Sequence, residues 1–231
     1  MFDMHNDLLS IAYTCYLKNN YEPLIKFRQY IIDGNVKGIV ANLYFMTKEE
    51  MADELHPNYY TGGSVIPMFK KAIEVLNKYI PDVNYIYSIE GCDCIEIEEL
   101  ETLKELGLSS ILPVWNNPNK YGSGNRSDNG LTMEGRNLLI KAMELGINID
   151  LSHANINTFY DAINVIKEFN YDKVYCSHSN VRNIFDHKRN LYKEQIEELK
   201  NIGAKMGCVA IYTFSKSPDE YIEHIRYVVD I

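Results

Sequence analysis

Five residues of this 231-residue chain have the types and spacing needed to hold metal ions. His5-Asn6-Asp7 closes the short apolar segment Met1–His5. Strand side chains alternate, so His5 and Asp7 are expected on one side and Asn6 on the other. An imidazole and a carboxylate placed that way can bind one ion, although an isolated H-x-D is common by chance. Glu90 closes the strand-like run Tyr85-Ile86-Tyr87-Ser88-Ile89 and precedes Gly91. A lone Glu at such a place is ordinarily an exposed turn residue. It can also span two metal ions held roughly 3.5–4 Å apart. His153 follows Asn148-Ile149-Asp150-Leu151-Ser152, and His178 follows Lys173-Val174-Tyr175-Cys176-Ser177. Each of the two runs ends in Ser-His, which a pair of unrelated structural histidines does not explain. Zinc takes both imidazole nitrogen and carboxylate oxygen, and these segments supply both. Asp150 is a candidate partner for an imidazole N–H or, equally, a turn former at a strand end. Cys92-Asp93-Cys94 is a C-x-C with no second pair to complete a metal site.

The elements that must position these residues alternate. Strand-like segments are expected at Met1–His5, Lys37–Phe45, Asn84–Ile89, Ser109–Val114, Ile147–Leu151, Lys173–Cys176 and Lys205–Tyr212. Helical spacing is expected over Glu22–Ile32, Val65–Tyr79, Glu98–Leu106, Thr132–Leu145, Asn157–Phe169, Lys193–Ile202 and Pro218–Val229. Asn116–Asn129, rich in Asn, Gly and Ser, reads as a loop. Such alternation points to a parallel sheet covered by helices, either open and doubly wound or closed as a barrel. No G-x-G-x-x-G follows the first strand, which disfavours a nucleotide-binding sheet. His5, Asp7, Glu90, Trp115-Asn116, His153, His178 and Tyr212 all fall at C-terminal ends of strands. Those ends converge on the active face of a (β/α)-barrel. The expected fold is therefore α/β, a (β/α)8 TIM-barrel type, as a single domain over 1–231.

Composition sets the outer bounds. The net charge of −9 and the lack of a basic stripe argue against a nucleic-acid partner. No stretch reaches the ~18 apolar residues that read as a membrane span, and the first residues lack the parts of a signal peptide. Five cysteines, an odd number with no framework spacing, fit a reducing compartment. A cytoplasmic protein without membrane contact is the expectation.

Taken in order, the motifs resemble the zinc dipeptidases typified by renal (membrane) dipeptidase, peptidase family M19, among the amidohydrolase-like barrels. The resemblance runs through Asp3–Asp7, Glu90-Gly91, Gly130-Leu131-Thr132 with Gly135-Arg136, Ile149–His153, Cys176–Asn180 and Arg189-Asn190. It implies two zinc ions, with His5 and Asp7 on one, His153 and His178 on the other, and Glu90 bridging. It further implies that Arg189 grips the C-terminal carboxylate of a free dipeptide and that Tyr212 lies beside it. The activity implied is that of a metallodipeptidase using a zinc-bridging hydroxide. Read by itself, Arg189 is more ordinarily a solvated loop arginine, although a guanidinium matches a carboxylate's two oxygens.

The sequence departs from the family in two places. Where some members carry a substrate-contacting His after the fourth strand, this chain has Trp115-Asn116, which makes Asn116 a substrate-binding candidate. The family's D-F-D-G-type segment of the eighth strand has no counterpart before Ile231, and Asp230 follows no strand. No catalytic proton-transfer residue is therefore assigned, and the seventh strand is expected to be the last. Open strand edges would favour self-association as a homo-oligomer and weak activity. Two alternatives follow: a catalytically inactive metal-binding barrel fragment, or another amidohydrolase-type C–N hydrolase. The latter would not need Arg189.

Overall fold

A computed structural model of the chain describes residues 1–44 and 62–231. Phe45 and the polar segment that follows it lie outside the described residues. The chain divides into two compact units, Met1–Ile111 and Leu112–Ile231.

In the first unit the strands β1 (Phe2–Asn6), β2 (Gly38–Tyr44), β3 (Asn84–Glu90) and β4 (Leu108–Leu112) lie side by side in chain order. β1 pairs with β2, and β2 with β3, in parallel. From Gly38 to Leu43 every residue of β2 is buried, as expected of a parallel strand covered on both faces. The helices are α1 (Leu8–Lys18), α2 (Glu22–Asp33), α3 (Ile66–Tyr79) and α4 (Leu100–Glu105). Phe69, Ala72, Val75 and Leu76 recur at helical spacing and form the buried face of α3. Sequence spacing does not predict α1. Its composition (LLSIAYTCYLK) includes Ile, Thr, Cys and Tyr, all middling helix formers, and no side chain caps its start. Burial of Leu8, Leu9, Ala12 and Cys15 along one face, with α1 packed on α3 and β2, makes the helix instead.

The second unit carries β5 (Asn148–Asp150), β6 (Val174–Cys176) and β7 (Lys205–Met206) in chain order, with parallel pairing. Its helices are α5 (Met133–Glu144), α6 (Ile156–Glu168), α7 (Lys193–Asn201) and α8 (Pro218–Asp230). Side-chain caps start three of them: Thr132 accepts from Gly135 N, Asn155 from Thr158 N and Ser217 from Glu220 N. Phe159, Ala162, Ile163 and Ile166 of α6 meet Leu139, Ile149, Leu151 and Val174 in one core.

β7 is much shorter than the Lys205–Tyr212 strand expected from its apolar run. Gly207 still pairs through its backbone, donating to Cys176 O and accepting from Ser179 N, and beyond it a side chain replaces the ladder. The Asn180 amide donates to Val209 O and its Oδ1 accepts from Val209 N, both at 3.0 Å. The chain then turns, with Phe214 N and Ser215 N donating to Ile211 O.

Two glycines hold the loop that leads into α5. A Cβ on Gly124 would lie 1.7 Å from Trp115 O, and one on Gly135 would lie 1.8 Å from Tyr121 O. Backbone cannot yield as a flexible side chain does. Gly124→Ala and Gly135→Ala are each expected to cost at least about 1–3 kcal/mol, read as a Tm lowered by several degrees. An unchanged melting curve would show that the loop is not held this closely.

Candidate metal centre

In the first unit, β1 does not deliver His5 by simple alternation. The pairing with β2 shifts between Asp3 and Asn6, so an irregularity sits where the histidine leaves the strand. Asp3 fixes it: its carboxylate accepts from His5 N at 3.1 Å and from Asn6 Nδ2 at 2.9 Å. Asp7 lies past the strand as the first flanking residue of α1, and its side chain does not cap that helix. It faces His5 instead, with Oδ1 3.7 Å from Nε2. Glu90 ends β3, is 3% exposed, and places Oε2 3.3 Å from the same Nε2. Behind the ring, Asn42 Nδ2 of β2 lies 2.9 Å from His5 Nδ1.

His5, Asp7 and Glu90 thus offer one imidazole nitrogen and two carboxylate oxygens within 4.8 Å of one another. Burial opposes a charge on His5. The charge of Glu90, contacts with Asp7 and Glu90, and the charge of Asp7 outweigh it, and the pKa rises from 6.5 to about 10. Asp7 Oδ1 is buried without a hydrogen-bond partner among the described residues. The donor set therefore favours a cation and fits a divalent metal.

A raised histidine pKa contributes stability that is fully present below pH 6.5 and lost as pH rises through about 10. The metal-free protein is therefore expected to lose Tm steadily across that window, and His5→Gln to flatten the loss. A wild-type Tm constant from pH 7 to 10 would contradict this charge arrangement.

In the second unit, both Ser-His pairs are tied by Asp150, whose Oδ1 accepts from Ser152 N at 2.9 Å and Ser177 N at 3.0 Å. Ser152 Oγ accepts in turn from His178 N at 3.1 Å. The shared carboxylate places the two motifs side by side. His153 adopts a left-handed backbone, φ +70°, uncommon for a non-glycine residue and concentrated at functional sites. The two rings meet with Nε2 atoms 2.8 Å apart, both residues buried. That lies within the span of two ligands on one ion at about 2.0–2.1 Å each. Their other nitrogens are engaged: His153 Nδ1 with Asn116 Oδ1 at 3.0 Å, His178 Nδ1 with Ser177 Oγ at 2.7 Å. Asp150 thus acts through backbone amides, although its carboxylate also lies within 4.8 Å of a His178 nitrogen.

Arg189 is no solvated loop residue. It is 5% exposed, donates from Nη2 to His178 O at 3.2 Å, and lies 5.7 Å from the Phe214 ring centroid. Tyr212, expected beside it, sits in the turn after β7 and is 78% exposed. Phe214, two residues on, takes the place over the guanidinium. Sequence reading misses Phe214 because it extends β7 to Tyr212. Asn180 and Asn190, which both donate to Phe214 O, are visible in the sequence only as parts of motifs. Asn116, expected on the substrate, here bonds His153. Cys92 and Cys94 are buried thiols in a single helical turn, with Cys94 Sγ donating to Gly91 O.

A family model described as membrane dipeptidase (peptidase family M19) matches residues 69–231. An uncharacterised protein from the region 3′ of PQQ-III in Acinetobacter calcoaceticus is 24% identical over 164 residues, covering 63% of this chain. The chain spans about half the length of that relative, 51%. A Rhodobacter sphaeroides metallopeptidase, solved with a phosphinate mimic of the dipeptide L-Ala-D-Ala, superposes with a TM-score of 0.78 at 19% identity. That match covers 99% of this chain and 81% of the other. A dipeptidase AC, an M19 metallopeptidase, gives 0.79 at 19% identity over 99% and 80%. At such identity the likeness establishes the fold, an α/β fold of the (β/α)-barrel type.

Proposed function

Because the chain belongs to the membrane dipeptidase family, peptidase family M19, we propose that it carries the metal-binding face of a zinc metallodipeptidase acting on free dipeptides. In this reading His5, Asp7 and Glu90 would hold one zinc ion, and His153 and His178 would hold a second. The observation that carries it is the pair of buried imidazoles with Nε2 atoms 2.8 Å apart, one of them on a strained backbone. Divalent ions bound there would lower the pKa of water enough for attack at neutral pH and would polarise a peptide carbonyl.

The chain's own residues do the rest. Glu90 and Asp7 bring negative charge that draws cations to His5. Asp150 fixes the two Ser-His turns through their amides. Arg189, buried and planar, receives the substrate's C-terminal carboxylate in a bidentate pairing, with Phe214 supporting its guanidinium. A free carboxylate on the ligand is therefore a requirement, which restricts the substrate to peptides ending at that subsite. The ligand of the Rhodobacter sphaeroides relative makes L-Ala-D-Ala the first dipeptide to try. Among the described residues no helix is long and apolar enough to cross a membrane.

The test is elemental analysis of the reconstituted protein beside calorimetry with L-Ala-D-Ala. The reading expects about two zinc equivalents per chain, one for each ligand set, and dipeptide binding only when zinc is loaded. A folded protein that takes up no zinc would overturn it.

A further inference from the structure

Asn116 stands where a substrate-polarising side chain was expected, but its contacts lead elsewhere. Its Oδ1 lies 3.0 Å from His153 Nδ1 and accepts from Asn125 Nδ2 at 3.3 Å, while its backbone oxygen accepts from Arg126 N at 3.0 Å. An amide oxygen can only accept, so the Asn116 contact places a proton on His153 Nδ1 and leaves Nε2 with its lone pair. His178 then donates from Nε2 to His153 Nε2, and its Nδ1 accepts from the Ser177 hydroxyl. One proton arrangement satisfies these three contacts together, running Ser177 to His178 to His153 to Asn116.

We infer that Asn116 and Ser177 are positioning residues for the imidazole pair, one fixed and one adaptable, and that they set its affinity for a divalent metal. This rests on the reading of His153 and His178 as ligands. His153 already presents an unprotonated Nε2, its proton being on Nδ1. His178 must free its own Nε2, and as a neutral ring it does so by carrying its proton on Nδ1 instead. Ser177 allows that, because a hydroxyl donates or accepts as it turns. Ser152 Oγ, 3.3 Å from Ser177 Oγ, can take the hydroxyl proton in the turned state. Both partners are neutral, whereas a carboxylate behind a ligating histidine makes it a stronger base. The pair is thus built for ready exchange of protons and metal.

The experiment measures zinc affinity by chelator competition and the protonated ring nitrogens by ¹⁵N shifts of the histidines. Asn116→Ala is expected to weaken one zinc equivalent by roughly 10–100-fold. Asn116→Asp, which keeps the shape and accepts the same proton, binds zinc at least as tightly as wild type. In the wild type, His153 carries its proton on Nδ1 with and without zinc, while His178 moves from Nε2–H to Nδ1–H on loading. Ser177→Ala loses that second form and weakens the same equivalent. A residue acting on substrate would instead raise the dipeptide Kd in Asn116→Ala and leave zinc affinity unchanged, and that result overturns the inference. So would an Asn116→Asp protein as weak as the Ala variant. A wild type that binds no zinc overturns the functional reading itself, so the two failures are told apart.

Discussion

Glu90→Ala is expected to fold and yet to lose the zinc equivalent it shares with His5 and Asp7, with affinity there down by about 10²-fold or more. The carboxylate ends β3, is almost wholly buried, and sits 3.3 Å from His5 Nε2. Its charge is the strongest influence favouring a cation on His5, ahead of both contacts with Asp7. Without it, His5 and Asp7 remain as a two-ligand set, too few for the tetrahedral shell zinc adopts. Folding should survive with lower stability, because His5 can lose its proton once Glu90 is gone and so need not stay buried as an unpaired cation. Glu90→Gln separates ligation from packing. It keeps the volume of the side chain, removes the charge, and should lose zinc nearly as completely. Binding measured at buffered free zinc decides the matter: two variants that both retain wild-type stoichiometry and affinity would remove Glu90 from the centre.

Much of this arrangement is legible in the amino-acid sequence, for a definite physical reason. Parallel strands end in residues that must leave the sheet, so the chemistry of each βα unit is written just after its apolar run. His5, Glu90, His153 and His178 stand out that way. What alternation cannot supply is the irregularity at His5, because a bulge breaks the period of two on which the reasoning depends. The side-chain substitute for a strand is equally hidden. Asn180 pairs with Val209 through its amide, and the apolar residues from Val209 to Tyr212 therefore imitate a strand without forming one. That imitation also hides Phe214, which lies against Arg189, while Tyr212 is left exposed in the turn. α1 escapes for the opposite reason: its helix is created by tertiary burial of Leu8, Leu9, Ala12 and Cys15, which propensity does not register.

Arg189→Ala is expected to weaken binding of a free dipeptide to the zinc-loaded chain by roughly 30-fold or more, the equivalent of about 2–5 kcal/mol for a buried charge partner. The guanidinium is held by His178 O, which accepts from Nη2, and lies against the Phe214 ring, while the segment that carries it is closed by Leu191 N on Asn180 O and Arg182 N on Leu191 O. His187, whose Nδ1 accepts from Arg189 N, is held below its ordinary pKa by burial first and then by Arg189 and Arg182. It therefore stays neutral at pH 7, and the positive charge of the segment belongs to Arg182, Lys188 and Arg189. A buried Arg189 also has a structural part to play, so loss of affinity alone would not identify a carboxylate anchor. Comparing L-Ala-D-Ala with its C-terminal amide does. The wild-type protein should prefer the free acid strongly, because only a carboxylate completes the bidentate pairing. In Arg189→Ala the acid and the amide should bind alike, whatever the variant has lost in stability. Arg189→Lys should recover charge but not the planar fork, and so restore only part of the preference. A wild-type protein that binds the two ligands equally, or an Ala variant that still discriminates between them, would move the anchor to some other residue.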